Sequence, residues 1–176
     1  NADAVAWNGK IWLVAEATVY SAVQGTGGSL TWSTKTTSAP WGANNMQLAV
    51  FNGKLWAINS SGTGSVWSSA DGASWTQEAA APWPSRPFNR LVVAGDTLLA
   101  IVSTSSFGTS PGQVWGSSDG VNWTRRCGAT PWEHDGSSWD SACYIAAVWF
   151  DGAVHVIGME NNHFVSTDGG VSWIKV

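Results

Sequence analysis

The chain has 176 residues, of which 44% are hydrophobic and 11% are charged, and 14 of them are tryptophan. Large apolar side chains in this number can offset the entropy of ordering the backbone, which excludes intrinsic disorder, and no apolar run approaches the ~20 residues of a membrane-spanning helix. The net charge is -4 and only Arg125 and Arg126 are adjacent cations, so we expect neither nucleic acid binding nor membrane insertion.

The first predicted elements are two apolar runs joined by a two-residue turn, and the same arrangement recurs three times along the chain. The four turns are Asn8-Gly9, Asn52-Gly53, Gly95-Asp96 and Asp151-Gly152. Asx-Gly pairs between β-rich runs predict tight hairpins, because both central residues of a type I′ turn need a positive φ. Low charge together with abundant Ser, Thr, Gly and Trp also favours an all-β fold.

A second pair of runs follows each hairpin. In copies two to four it contains an acidic turn that ends at a tryptophan: Asp71 with Trp75, Asp119 with Trp123, and Asp168 with Trp173. Copy one keeps Trp32 but has Gly25-Thr26-Gly27-Gly28 where the acid would stand. Each copy therefore predicts four short strands, A to D, at the repeat length of a propeller blade.

We predict a single all-β domain over residues 1–176, a β-propeller of four four-stranded antiparallel blades. The blades are expected at approximately 4–38, 47–80, 90–128 and 145–176. Two arrangements are open at this point. The chain closes as a small four-bladed disc, or it forms part of a larger or oligomeric ring.

The turn Ser166-x-Asp168-x-Gly170-x-x-Trp173 resembles the Asp-box of sialidase-like propellers. The whole unit, closed by Ala39-Pro40-Trp41 and its counterparts, resembles kelch-like repeats of the galactose-oxidase-like kind. The resemblance implies a propeller fold. It does not carry over a catalytic set, because the arginine cluster and the Arg-Ile-Pro segment of sialidases are missing. The chain contains Tyr, His and Cys residues of the types that form the copper site of galactose oxidase, but the match extends no further than the residue types. We therefore expect no enzyme, no cofactor and no metal.

The repeated residues are expected to be structural. Asp71, Asp119 and Asp168 stand in tight turns, where an aspartate usually accepts hydrogen bonds from the backbone two or three residues further on. Tryptophans that recur at one strand position favour packing between neighbouring sheets. The three Pro-Trp tryptophans, Trp41, Trp83 and Trp132, are expected to be wedges between blades.

The connections B to C and D to A share one face, vary in length and carry the candidate ligand-binding residues. They combine aromatic rings, amides, carboxylates and guanidinium groups, which suit a sugar or a peptide. The candidates are Asn44, Asn45, Arg86, Asn89, Arg90, Glu133, His134, Asp135, Trp139 and Asp140. Trp139 is the strongest of these because it does not repeat.

The two cysteines, Cys127 and Cys143, bracket the longest insertion, and we expect them to form a disulfide. Two buried free thiols are the alternative. With this composition the chain is expected on the extracellular side or on a particle surface. The predicted function is a non-catalytic, lectin-like binding module that recognises a carbohydrate or a surface receptor. The alternative is a structural, self-assembling subunit of a filament, surface layer, phage tail or capsid.

Overall fold

The fold is described from a computed structural model of the chain. It covers residues 2–44, 46–59, 64–83, 89–102, 111–132, 146–158 and 162–176. The described residues form four antiparallel sheets of four strands each, and within each sheet the strands lie side by side in chain order. Four such sheets in a ring are the blades of a β-propeller, so the predicted fold class is confirmed.

The strands are numbered along the chain, four to a blade. Blade 1 contains β1 (Ala2–Trp7), β2 (Lys10–Ala15), β3 (Thr18–Gln24) and β4 (Leu30–Thr36). Blade 2 contains β5 (Met46–Phe51), β6 (Lys54–Asn59), β7 (Ser65–Ser69) and β8 (Thr76–Ala80). Blade 3 contains β9 (Asn89–Ala94), β10 (Thr97–Val102), β11 (Gln113–Ser117) and β12 (Thr124–Cys127). Blade 4 contains β13 (Ala146–Phe150), β14 (Ala153–Ile157), β15 (His163–Ser166) and β16 (Ile174–Lys175).

The tight turns between the first two strands of each blade have the backbone that their sequences predict. Both residues have positive φ in the Asn-Gly and Asp-Gly turns of blades 1, 2 and 4. In blade 3 the order of the residues is reversed, and of the two only Gly95 has a positive φ. Such turns match the twist of the paired strands and so begin each blade with a short hairpin.

Each of three junctions between neighbouring blades contains a core of buried apolar side chains. At the first junction Trp12, Val14 and Val19 of blade 1 pack with Leu48, Leu55 and Ala57 of blade 2. The corresponding residues of blade 2 that face blade 3 are Trp56, Ile58 and Val66, and those of blade 3 that face blade 4 are Leu99, Ile101 and Val114. The fold is therefore held together blade by blade along the chain.

The Pro-Trp tryptophans lie between blades, in the position expected of wedges. The ring of Trp41 is nearly perpendicular to that of Trp75 in blade 2, with 4.8 Å between the ring centroids. The Trp83–Trp123 pair at 5.0 Å and the Trp132–Trp173 pair at 4.7 Å repeat this edge-to-face contact in blades 3 and 4. Each connection from one blade to the next thus adds an aromatic contact to the junction.

The junction between blade 4 and blade 1 differs from the other three. Among the described residues it has no core cluster, and Phe150 of blade 4 is 67% exposed. The positions that hold Trp12 and Val19 in blade 1 hold His155 and His163 in blade 4, whose ring nitrogens lie 3.0 Å apart. Blade 4 therefore turns a face with two histidines and exposed apolar side chains toward this junction.

Candidate functional site

The middle of the ring is a channel between the innermost strands of the blades. The residues that line it border an open pocket of about 300 Å³ and come from three blades, in β5, β9 and β13: Leu48 to Val50, Leu91 to Val93, and Ala147 to Trp149. All of these side chains are apolar. Polar chemistry at the channel therefore depends on the residues at its ends.

One end of the channel, called the mouth here, is the end at which the four innermost strands begin. The residues at the same register position near this end are Asp3, Gln47, Arg90 and Ala146, which pair with Val14, Ile58, Ile101 and Ile157 of the neighbouring strands. The mouth therefore brings a carboxylate, an amide and a guanidinium group to equivalent positions of three blades.

Asp3 is held in place across the first junction. Its Oδ2 accepts a hydrogen bond of 2.7 Å from the backbone N–H of Leu48, which belongs to the innermost strand of blade 2. The same carboxylate acts electrostatically on Arg90 of blade 3. Burial lowers the pKa of the Arg90 guanidinium, and the negative charge of Asp3 opposes that change. The mouth therefore contains a fixed carboxylate and a partly desolvated cation.

The structure places only some of the predicted ligand-binding residues. Arg90 lies at the mouth and Asn89 begins the same strand, whereas the exposed Asn44 donates a hydrogen bond from Nδ2 to the carbonyl oxygen of Trp41. The others lie outside the described residues: Asn45, Arg86, Glu133, His134, Asp135, Trp139 and Asp140.

Sequence reasoning missed Asp3. The signal that could have found it is the alignment of the repeats, because Asp3 stands where Arg90 stands in the third copy. Neither residue belongs to a local motif. A comparison of equivalent polar positions between blades is the search that would detect such a site.

The acidic turns lie at the end of the ring opposite the mouth. In blade 3, Oδ1 of Asp119 accepts hydrogen bonds from the backbone N–H groups of Val121 at 2.8 Å and Asn122 at 2.7 Å. A hydrogen bond from the Asn122 side chain is the largest contribution that lowers the pKa of Asp119 below its ordinary value, and these backbone bonds add to it. The carboxylate is occupied within its own turn.

The other two acidic turns repeat this arrangement. Oδ1 of Asp71 accepts hydrogen bonds from the N–H groups of Ala73 and Ser74, both at 2.8 Å, and these bonds lower the pKa of Asp71. For Asp168 burial raises the pKa, but hydrogen bonds from Ser172 and its own turn outweigh burial and bring the pKa to about 2. The geometry gives all three aspartates a turn-stabilising role.

The predicted disulfide is not seen. The Sγ of Cys127 lies 3.3 Å from the carbonyl oxygen of Ala129, to which a thiol can donate. Its expected partner, Cys143, lies outside the described residues. The pairing of the two cysteines stays a prediction that mass spectrometry under non-reducing conditions can test.

Two further features concern the part of the chain that the structure describes. No three or more His, Cys, Asp and Glu side chains are close enough together there to hold a metal ion. Within the same residues, no helix has the length and apolar character needed to cross a membrane.

Residues 1–111 match the model of the DUF6242 beta propeller domain, and the chain belongs to this family. The match supports a β-propeller family as such; the finer kelch-like or Asp-box kind is not part of it. No curated protein matches the chain.

Solved structures share the fold at low sequence identity. One is the structure of YjhT, with a TM-score of 0.73 and 13% identity over 99% of this chain and 64% of the other. A second is Zg3597, a family 117 glycoside hydrolase from Zobellia galactanivorans, with a TM-score of 0.65 and 10% identity over 99% and 67%. A third is a GH74 enzyme from Niastella koreensis, with a TM-score of 0.60 and 18% identity over 99% and 24%. The chain thus spans about two thirds of the first two structures and a quarter of the third.

This comparison corrects two predictions. The expectation that the chain is a non-catalytic binding or structural module, and the expectation that it is no enzyme, are contradicted by the comparison, because two of the solved propellers that share its fold are glycoside hydrolases. The physical reason lies in the fold. A propeller brings residues of different blades together at its centre, so a search for two known local motifs does not test a propeller for catalysis.

Proposed function

We propose that this chain belongs to a carbohydrate-active enzyme of the glycoside hydrolase class, with its site at the mouth of the central channel. The observation that carries the proposal is the Asp3 carboxylate, which the backbone N–H of Leu48 fixes at the mouth and which interacts electrostatically with Arg90. The glycoside hydrolases among the solved structures of this fold support the class of reaction.

The chemistry of glycoside hydrolysis sets the role of Asp3. Most such enzymes use two carboxyl groups, one that protonates the leaving oxygen and one that acts as a nucleophile or activates water. The backbone N–H of Leu48 holds the Asp3 carboxylate in one position at the mouth, as the second role requires. We assign Asp3 to it.

Arg90 and Gln47 are the proposed substrate-binding groups of the described mouth. A guanidinium donates several hydrogen bonds in a fixed geometry, and an amide both donates and accepts, so together they can orient sugar hydroxyl groups. The apolar channel wall below them offers a surface for the carbon-bound hydrogens of a sugar ring.

The second carboxyl group is proposed to come from the connection that leads into β13. This connection enters the innermost strand of blade 4 at the mouth, and its sequence carries Glu133, Asp135 and Asp140. All three lie outside the described residues, so their assignment rests on chain order alone.

We also propose that the repeat is of the kelch-like, Asp-box kind. The hydrogen bonds that Asp71, Asp119 and Asp168 accept from their own turns support this finer assignment. The Ser-to-Asp side-chain bond found in each turn is additional support.

The test is hydrolysis of a panel of polysaccharides and aryl glycosides by the wild-type chain and by Asp3→Asn. Asparagine keeps an oxygen acceptor for the Leu48 N–H but cannot act as nucleophile or base, so we expect kcat/KM to fall by at least about 100-fold with the melting temperature nearly unchanged. The matched control is Asp151→Asn in an exposed turn at the opposite end, which should keep wild-type activity. Absence of hydrolysis by the wild-type chain, or equal activity of Asp3→Asn, would overturn the proposal.

A further inference from the structure

The edge of the ring at blade 1 carries the same aromatic pair that holds a wedge tryptophan at every other junction. In blades 2 to 4 the wedge contacts the tryptophan that closes the acidic turn and an aromatic residue of the third strand. For Trp41 these partners are Trp75 at 4.8 Å and Trp67 at 6.1 Å between ring centroids. For Trp132 they are Trp173 at 4.7 Å and Phe164 at 5.7 Å.

Strand register identifies the equivalent pair in blade 1 as Tyr20 and Trp32. Tyr20 pairs with Leu13, as Trp67 pairs with Ala57. Trp32 pairs with Ala22, and Ala22 occupies the position in blade 1 that Ser69 occupies in blade 2. Among the described residues no tryptophan lies on this pair, and Trp32 is 46% exposed.

The rest of this blade 1 face is built in the same way as the buried faces. Ala2 and Ala4 of β1 are exposed, whereas the equivalent residues of β5, Met46 and Leu48, are buried against blade 1. Across the ring, Val148 and Phe150 of blade 4 are also exposed. Beside them on the blade 4 side lie His155 and His163, whereas the blade 1 side carries apolar residues at positions that are covered in the other three junctions.

Glycines in the turns between the third and fourth strands also differ between blade 1 and blades 2 and 3. A Cβ on Gly72 or Gly120 would overlap the ring of Trp12 or Trp56 of the preceding blade, because each glycine lies directly on that ring. A Cβ on Gly27, in the corresponding turn of blade 1, would meet nothing within 4 Å. Among the described residues, no blade packs on this glycine.

We propose that the exposed face of blade 1 is a docking surface for a further blade of the same repeat, joined ahead of β1 through a Pro-Trp turn whose tryptophan packs on Tyr20 and Trp32. The continuity with three existing junctions supports this occupant. So does length, since this chain spans only 64% of the chain of one propeller on which it superposes and 67% of another.

A second copy of this chain does not supply the tryptophan that this surface requires. The Pro-Trp pairs in residues 1–176 are Pro40-Trp41, Pro82-Trp83 and Pro131-Trp132. The tryptophan of each is already packed within its own chain. A neighbouring copy therefore has no wedge tryptophan to place on Tyr20 and Trp32. The proposal does not depend on the hydrolase function.

The test adds a blade and measures whether Trp32 becomes part of a junction. Residues 46–88 are fused ahead of Ala2 in place of Asn1, which reproduces the spacing from Trp83 to β9, and Trp32→Ser is made with and without the added blade. We expect Trp32→Ser to change the melting temperature little in the 176-residue chain and to lower it clearly in the fusion, because only there does Trp32 lie beneath a wedge. The matched control, Trp83→Ser in the added copy only, should remove the same stabilisation.

Two outcomes would overturn the proposal. One is that Trp32→Ser changes the melting temperature equally with and without an added blade. This must hold both in this fusion and in a second fusion in which residues 89–144 are the added blade. The other is a stable dimer of the 176-residue chain in light scattering that Trp32→Ser dissociates, which would make a second copy the occupant. We expect a monomer. Both readouts measure stability and mass, so they are separate from the hydrolysis assay.

Discussion

Asp119 illustrates how a single carboxylate stabilises a turn of this fold. It accepts hydrogen bonds from two backbone N–H groups and from the Asn122 side chain, all within its own turn. We expect Asp119→Ala to lower the free energy of unfolding by about 1 kcal/mol, as for the loss of a helix N-cap, and to leave any hydrolytic activity intact. Urea denaturation measures the change. Loss of activity without loss of stability would show that Asp119 has a functional rather than a structural role.

Equivalent hydrogen bonds to Asp168 make the stability of the fold depend on pH in the acid range. The pKa of Asp168 is about 2 in the folded chain, against 3.8 as its ordinary value. Because the folded pKa is the lower one, the ionised carboxylate stabilises the fold above about pH 4, and this contribution is lost as the pH falls toward 2.

We therefore expect the urea midpoint of the wild-type chain to decrease between pH 4 and pH 2, and that of Asp168→Asn to decrease less. Asparagine can accept some of the same hydrogen bonds but does not titrate over this range. Parallel pH profiles of the two proteins would contradict the assignment of the pKa shift to this turn.

At the scale of strands and turns, close contact between a glycine and an aromatic ring aligns neighbouring blades. Gly120 has a φ of +79° and a Cβ there would lie 2.1 Å from Trp56. Gly53 has a φ of +72° with nothing within 4 Å of a Cβ. The two glycines therefore share a positive φ but not the contact.

Alanine substitutions at these two glycines separate the cost of backbone strain from the cost of steric overlap. Gly53→Ala should lower the stability by about 1–2 kcal/mol through backbone strain alone, and Gly120→Ala should cost a further 1–3 kcal/mol or so through overlap with the Trp56 ring. Denaturation midpoints of the two variants measure the difference. Equal losses would mean that the ring moves away freely and does not fix the blade.

The elements were predictable because their signals are local. Asn8-Gly9 and its counterparts specify hairpins within a few residues, and the recurrence of Trp41, Trp83 and Trp132 indicates packing between blades. The mouth was not predictable in this way. Asp3 and Arg90 come together only because the ring places innermost strands of different blades around one axis. The surroundings of His155 likewise depend on the blade that its own blade faces, which the sequence around His155 does not specify.

Across the whole molecule, stability is expected to follow the number of packed junctions that each blade has. Blades 2 and 3 have a core on both sides, whereas blades 1 and 4 have one on a single side among the described residues. In repeat proteins with contacts mainly between neighbours, the stability is close to a sum of such interfaces. The inner blades should therefore be the last to open.

Amide hydrogen exchange of the 176-residue chain tests this account most directly. The second strand of each blade occupies an equivalent place, so β2, β6, β10 and β14 can be compared with one another. We predict that β6 and β10 exchange about tenfold or more slowly than β2 and β14, because the outer blades open without disrupting two cores. Equal protection of all four strands would contradict the account, since the junction between blade 4 and blade 1 would then be as well packed as the other three.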